Sequence, residues 1–448
     1  MNLRTRILSF AVSTCLLAAA ICAGAADLQK AAPERTGLSA ARLEKIAAVM
    51  QPYVTEKQIA GAVVTVARKN RLVYSRSFGS LDREAGKPMR DDAIFRIASM
   101  SKPVTSVAVM MLYEDGKFLL DDPVSKFIPE FKDPKVLVPA NPNDPNSTEY
   151  TTVPAKREVT IRDLLTHTSG ITYRFWSKKP IAELMEQAGI VDGLAPSLGT
   201  ASTVGEAVKR LAKLPLLHQP GEAFEYGLNT DVLGYLVEVV SGVTLDQFLK
   251  QRVFDPLGMR DTQFYPSPEQ CARLASLYVP GDAGAMVKAK PEPIRWGQLA
   301  FDPGAACSGT RTYVSGGAGL TSTAGDYVRF LQMLLNGGQL DGARLLSRKS
   351  VDLLTVNHIG SLSVYSQFPP GYFGNLGDKF GLSFGIRSEA GLNELGSVGE
   401  YTWAGIYNTR FWVDPREQMI VVVMAQMIPR KPEIESKLHA AVYQAIVD

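Results

Sequence analysis

Apolar residues recur at helical spacing over residues 39–53, where Leu43, Ile46, Ala47 and Met50 form one stripe. Over residues 61–78 the pattern changes to period two and breaks at Lys69-Asn70-Arg71, which predicts a β-hairpin with Asn70 supplying the turn conformation. Residues 95–117 return to helical spacing and end at Gly116. Pro103 has no N–H to give to a helical ladder, so it belongs in the opening turn, and Ser99 then lies near a helix start. Residues 133–158 are rich in Pro, Asn and Asp with little periodicity, which predicts a long surface insertion of the kind that borders binding sites. Helical patterns resume over residues 161–165, 204–213 and 231–253. Strand patterns reappear over 379–386, 401–413 and 418–426, followed by a closing helix over 433–447.

Strands at both ends with a helical middle imply an α/β (α+β) arrangement: one sheet completed by the C-terminus and interrupted by a helical insertion. The expected organisation is a sheet domain from residues 26–105 and 310–448, with a mostly helical subdomain over 106–309. There is no internal repeat and no low-complexity tract.

The first residues change this picture. Arg4 and Arg6 precede an apolar stretch over residues 7–21, and Ala23-Gly24-Ala25 follows. A basic start, a short greasy segment and small residues at the exit describe a signal peptide over residues 1–25. The stretch is shorter than the ~20 residues of a spanning helix. The expectation is export to a periplasmic or secreted location, with no stable membrane span after cleavage. Cleavage removes both arginines and takes the formal charge from +3 to +1. A near-neutral chain argues against nucleic acid as a partner. Cys15 and Cys22 leave with the signal. Cys271 and Cys307 remain where disulfides persist, and a bridge or two buried thiols are equally open. His167, His218, His358 and His439 lie too far apart in sequence for zinc-ligand spacing, so no metal site is expected.

The chemistry concentrates in four places. Ser99-Met-Ser-Lys102 puts a hydroxyl and an amine three residues apart, on one face if helical, so that a desolvated Lys could activate the Ser. Phe224-Glu-Tyr226-Gly-Leu228-Asn229 puts a phenol just before a helix. Trp403-Ala-Gly405 opens a late strand. Leu165-Thr-His-Thr-Ser-Gly170 and the stretch from Ser315 to Ala324 lie between them. A Ser-His-Asp triad is the competing arrangement, set aside on the expectation that the chain has no Gly-x-Ser-x-Gly elbow.

From about residue 37 onward, these motifs in this order resemble the serine β-lactamase superfamily, specifically class C β-lactamases and the family VIII carboxylesterases. The resemblance implies an antiparallel sheet flanked by helices, as in β-lactamases and penicillin-binding proteins, and no cofactor. It implies Ser99 as nucleophile, with Lys102 and Tyr226 handling the proton. It implies an oxyanion hole from the backbone N–H groups of Ser99 and Ile406, and substrate contacts at Trp403, Gly405 and Leu228. Two signatures depart from the β-lactamase pattern. Leu228 stands where many members have Asn, with Asn229 taken as structural, and Trp403-Ala-Gly405 replaces Lys-Thr-Gly, similar to the Trp-x-Gly form of the esterases. Acyl transfer through Ser99 survives these changes; recognition of a β-lactam carboxylate does not, unless a nearby cation such as Arg410 replaces the lost Lys. The expected function is a carboxylesterase acting on small neutral esters or lactones. A β-lactamase or D-Ala-D-Ala peptidase is the second reading. A non-catalytic binding module is the third, and intact Ser99, Lys102 and Tyr226 count against it.

Overall fold

Strand β1 (Gly61–Arg68) and strand β2 (Arg71–Asp82) pair antiparallel as the period-two pattern predicts. The turn needs more than Asn70: both Lys69 and Asn70 take left-handed φ, +52° and +62°, the two-residue geometry whose twist matches the strands. The structure is a computed structural model describing residues 28–141, 149–177, 180–281, 284–368, 377–392 and 394–448; the expected signal segment, with Cys15 and Cys22, lies outside them.

Five more strands and a short edge strand complete one antiparallel sheet. They are β3 (Lys87–Pro88), β4 (Lys379–Phe380), β5 (Gly385–Ile386), β6 (Tyr401–Gly405), β7 (Thr409–Asp414) and β8 (Met419–Ala425), in the spatial order β4-β5-β6-β7-β8-β1-β2-β3. The C-terminal strands therefore pair with the first hairpin, Val64 facing Val423 across the β1–β8 ladder. Successive residues point to opposite faces. Val64, Val66, Trp412 and Val421 pack against helix α1 (Lys45–Thr55) and the C-terminal helix, while Val63, Ala67, Phe411 and Val422 face the helical layer. With both faces covered, β1 is buried at every position, Thr65 and Arg68 included.

Helix α2 (Ser101–Glu114) is buried from Ser101 through Leu112 and packs on helix α3 (Asn229–Ser241), while the turn just before it rests on β6. Pro103 is its third residue, where no intrahelical N–H is required. Helix α4 (Ala324–Leu335) packs on β1 and β8, and helix α5 (Pro432–Tyr443) closes the other face. No single helix among the described residues is long and apolar enough to cross a membrane.

Three sequence-based expectations need correction. The helix expected over residues 231–253 breaks at Gly242, which caps α3 in the left-handed conformation at φ +76°; the chain resumes at Leu245–Leu249. The expected strand over 401–413 is two strands, because the left-handed Asn408 (φ +63°) turns the chain between β6 and β7. The expected strand over 379–386 is likewise two, β4 and β5, because the left-handed Ser383 (φ +74°) turns the chain between them; within the insertion at 133–158, Lys135–Pro139 pairs with Tyr150–Pro154, and Leu137 N–H bonds the Leu216 carbonyl.

Cys271 and Cys307 are bonded to each other, joining two short helices across 36 residues of sequence. Thiol titration of the unfolded, unreduced chain lacking residues 1–25 is expected to find no free thiol. Reduction is expected to lower stability by about 3–4 kcal/mol on chain-entropy grounds. Two free thiols would contradict the pairing.

Candidate active site

The turn that carries Ser99 is strained. Ala98, a non-glycine residue, sits at φ +43°, fully buried, at the start of a 3-10 turn (Ala98–Met100) that leads into α2. Such strain persists only where surroundings over-determine it. Here the surroundings are β6 and β7. A side chain at Gly405 would meet the Ile97 carbonyl oxygen at 2.3 Å, so only glycine lets the strand reach the turn, and Thr409 Oγ1 hydrogen-bonds the same carbonyl at 3.3 Å.

One helical turn on, Lys102 is completely buried. Its Nζ lies 3.2 Å from Ser99 Oγ, 3.0 Å from Tyr173 Oη and 2.8 Å from the Gly317 carbonyl oxygen. Burial pulls the amine down to about pKa 7, partly opposed by the nearby carboxylate of Asp231. A carbonyl can only accept, so Gly317 consumes one N–H, and the lone pair of the neutral amine is left for the hydroxyls. Asp231 is held by Ser315 Oγ at 2.5 Å and the Gly317 N–H at 3.5 Å.

Tyr226 completes the group from the loop before α3. Its ring lies beneath the amine, 4.7 Å from centroid to Lys102 Nζ, and its hydroxyl faces Ser99 and accepts the Trp403 indole N–H at 3.1 Å. Burial raises the phenol well above the usual tyrosine range, and the Ser99 hydroxyl and the Trp403 N–H oppose the rise only in part. At neutral pH the phenol is protonated. Two contacts fix its loop. A side chain at Gly227 would meet the Ile171 carbonyl oxygen at 2.3 Å, so the Tyr226 and Tyr173 loops touch backbone to backbone. His167 stacks on Tyr226 at 4.6 Å, and its Nδ1 accepts from Asn229 Nδ2 at 2.8 Å. Burial holds His167 well below the usual histidine range, in the neutral state that this acceptor role requires.

Ser99, Tyr226, Trp403 and Ile406 line one cavity of about 490 Å³, with Phe175, Trp176 and Phe368 supplying most of its aromatic wall. The other sequence-derived positions fall elsewhere. Leu228 is turned into the hydrophobic core, Gly405 contributes close backbone approach, and Asn229 braces His167. Arg410 is buried against Glu435 at 2.7 Å and does not line the cavity. Arg430 does line it, and its guanidinium is bonded to the same Glu435.

Sequence reasoning missed Tyr173, Asp231 and Asp192. Tyr173 follows the singled-out Thr-His-Thr-Ser-Gly stretch by three residues, and only its proximity to that motif could have flagged it. The sequence reading also erred on Gly-x-Ser-x-Gly, which does occur at residues 381–385. It forms a turn between strands β4 and β5 instead of a strand-to-helix elbow. Ser383 there is buried, its hydroxyl bonded to Ser106 Oγ at 2.5 Å and its N–H to the Leu165 carbonyl.

Comparison with known proteins agrees with this architecture. The chain is 32% identical to Esterase EstB of Burkholderia gladioli over 399 residues, covering 85% of this chain and 90% of that one. It is 29% identical to the lovastatin esterase of Penicillium rubens, covering 84% and 91%. Its fold superimposes with a TM-score of 0.76 on EstCE1, a hydrolase with promiscuous acyltransferase activity, at 29% identity over 90% of this chain and 99% of that one. Residues 46–443 match the family described as Beta-lactamase, and the chain belongs to that family.

Proposed function

We propose that the chain is an exported serine carboxylesterase that acts on small esters or lactones through an acyl-enzyme at Ser99. One observation carries the reading: a serine hydroxyl 3.2 Å from a fully buried lysine whose pKa is drawn to about 7, at the wall of a cavity lined mainly by aromatic rings. The esterases among its relatives support the same class.

In this scheme the neutral Lys102 amine takes the Ser99 proton as Oγ attacks the ester carbonyl. The backbone N–H groups of Ser99 and Ile406 receive the developing oxyanion. The Tyr226 phenol, protonated at neutral pH, gives its proton to the leaving alkoxide and regains one through Lys102. Water attacks the acyl-enzyme by the reverse sequence and frees the acid. Trp403 spends its only donor on Tyr226, so the position held by lysine in β-lactamases presents no cation to a substrate carboxylate. The guanidinium that lines the cavity, Arg430, is tied to Glu435, a carboxylate it shares with Arg410.

Wild type is expected to hydrolyse p-nitrophenyl acetate through hexanoate and to label at Ser99 with a fluorophosphonate, and Ser99→Ala is expected to abolish both. Nitrocefin is expected to fall about 10- to 150-fold or more behind p-nitrophenyl butyrate in kcat/KM, the worth of one charge-assisted hydrogen bond. Equal or faster nitrocefin turnover would replace the esterase reading with a β-lactamase one. Lys102→Ala and Tyr226→Phe are each expected to lower kcat on the order of 10²-fold. Their double variant is expected to lose far less than the product, because the two act on one proton; multiplicative losses would show that only one of them moves it. For export, mass analysis of the mature protein is expected to begin at Ala26, and a chain retaining Met1 would contradict it.

A further inference from the structure

The Ser99 cavity contains a carboxylate that the hydrolytic scheme does not use. Asp192 lies on the loop after the short helix Ile181–Gln187, 4% exposed, and lines the cavity together with Ser99. Its Oδ1 accepts the Arg174 backbone N–H at 2.7 Å. The Arg174 guanidinium stands off, with Nε 3.9 Å from Oδ2 and Nη2 committed to the Gln298 carbonyl at 2.7 Å. Among the described residues, no group hydrogen-bonds Oδ2.

Burial pushes this carboxyl up to about pKa 7 against the pull of the Arg174 amide and guanidinium and of the Phe175 backbone N–H, and Asp231 adds to the rise. Asp231 and Lys102 interact electrostatically on the same side of the site. A buried acceptor without a donor is costly, and such groups persist where they serve a ligand. If Asp192 served only to pin its loop, the Arg174 amide on Oδ1 would suffice, and the residue would not need a place in the wall of the substrate cavity. Elsewhere in that wall the Trp403 indole is bonded to Tyr226 and the Arg430 guanidinium to Glu435, and Phe175 and Phe368 offer ring faces. Asp192 is the acid among the residues that line the cavity, and its carboxylate is positioned to discriminate among esters of similar size.

We infer, resting on the esterase reading above, that Asp192 is a specificity-determining residue whose Oδ2 accepts a hydrogen bond from an O–H or N–H group carried by the substrate, so that hydroxylated or amino-bearing esters are the preferred class. The aromatic walls hold the body of such a substrate, and the carboxylate fixes its donor. An ester without the donor buries Oδ2 with nothing in return, and this difference appears in kcat/KM.

The test compares matched esters, each rate divided by that of its alkaline hydrolysis. For a donor on the acyl side, p-nitrophenyl 3-hydroxybutyrate and 3-aminobutyrate are set against p-nitrophenyl butyrate. For a donor on the alcohol side, 2-hydroxyethyl and 2-aminoethyl butyrate are set against propyl butyrate. At least one donor-bearing ester is expected to exceed its parent by roughly 10- to 150-fold in kcat/KM. Asp192→Leu keeps the bulk of the side chain and removes the acceptor. It is expected to bring that ratio to within about 2-fold of unity, whatever happens to the absolute rates, whereas a merely structural role would lower both esters alike. Ratios near unity in wild type overturn the inference even if Asp192→Leu does not fold, as does a preference that survives the substitution. Failure of the esterase reading is a separate result, with no hydrolysis of any ester and no fluorophosphonate at Ser99.

Discussion

An amine taken completely out of water is the constraint around which the site is arranged. Moving Lys102 from pKa 10.5 to about 7 corresponds to a differential cost on the order of 4–6 kcal/mol for its charged form. In the proposed mechanism that cost is the source of reactivity, because the same residue in water would stay protonated and could not take a proton from Ser99. The cavity floor limits how far the shift goes. Asp231, itself buried and hydrogen-bonded to Ser315, favours the charged amine, while the Gly317 carbonyl and the Tyr173 hydroxyl give either protonation state a partner. In the proposed mechanism the serine is activated by where the lysine is placed more than by what it touches.

The fold supplies that placement. Helix α2 runs through the core beside α3, directly after the turn that rests on β6, so Lys102 on its first turn has no contact with solvent. Strand β6 then approaches the preceding turn through Gly405, and the contact holds Ala98 in its left-handed conformation. Trp403, two residues earlier on the same strand, reaches the Tyr226 hydroxyl. One β-strand thus positions both the backbone beside Ser99 and the Tyr226 hydroxyl, and Trp403, at the position the resemblance assigns to lysine, keeps Tyr226 tied into the group around Ser99.

Much of this was legible in the sequence, for physical reasons. The β1–β2 hairpin, the closing strands and α2 have strong periodicities and turn residues, and Ser99, Lys102 and Tyr226 sit in short motifs whose spacing is itself chemical. What depends on tertiary contact was hidden. Tyr173 reaches Lys102 from 71 positions away, and Asp192 meets the cavity from a loop without periodicity. Leu228 shows the converse error: adjacency to a catalytic motif placed it at the substrate, whereas its apolar side chain belongs to the core. The helix expected to run from 231 to 253 failed at Gly242 because hydrophobic spacing continues through a left-handed cap that only the backbone reveals. The Gly-x-Ser-x-Gly pentapeptide shows how little a short pattern means without its strand and helix.

The claim that burial turns Lys102 into the base for Ser99 is tested most directly by the pH dependence of Ser99 phosphonylation, since that reaction needs the activated hydroxyl but no ester substrate. The second-order rate of fluorophosphonate labelling should rise tenfold per pH unit at low pH and level off above an apparent pKa of about 7. In Lys102→Met the rate should fall on the order of 10²-fold and lose that inflection. A wild-type rate that climbs without a plateau to pH 10, or an inflection near 7 that persists in Lys102→Met, would contradict the account.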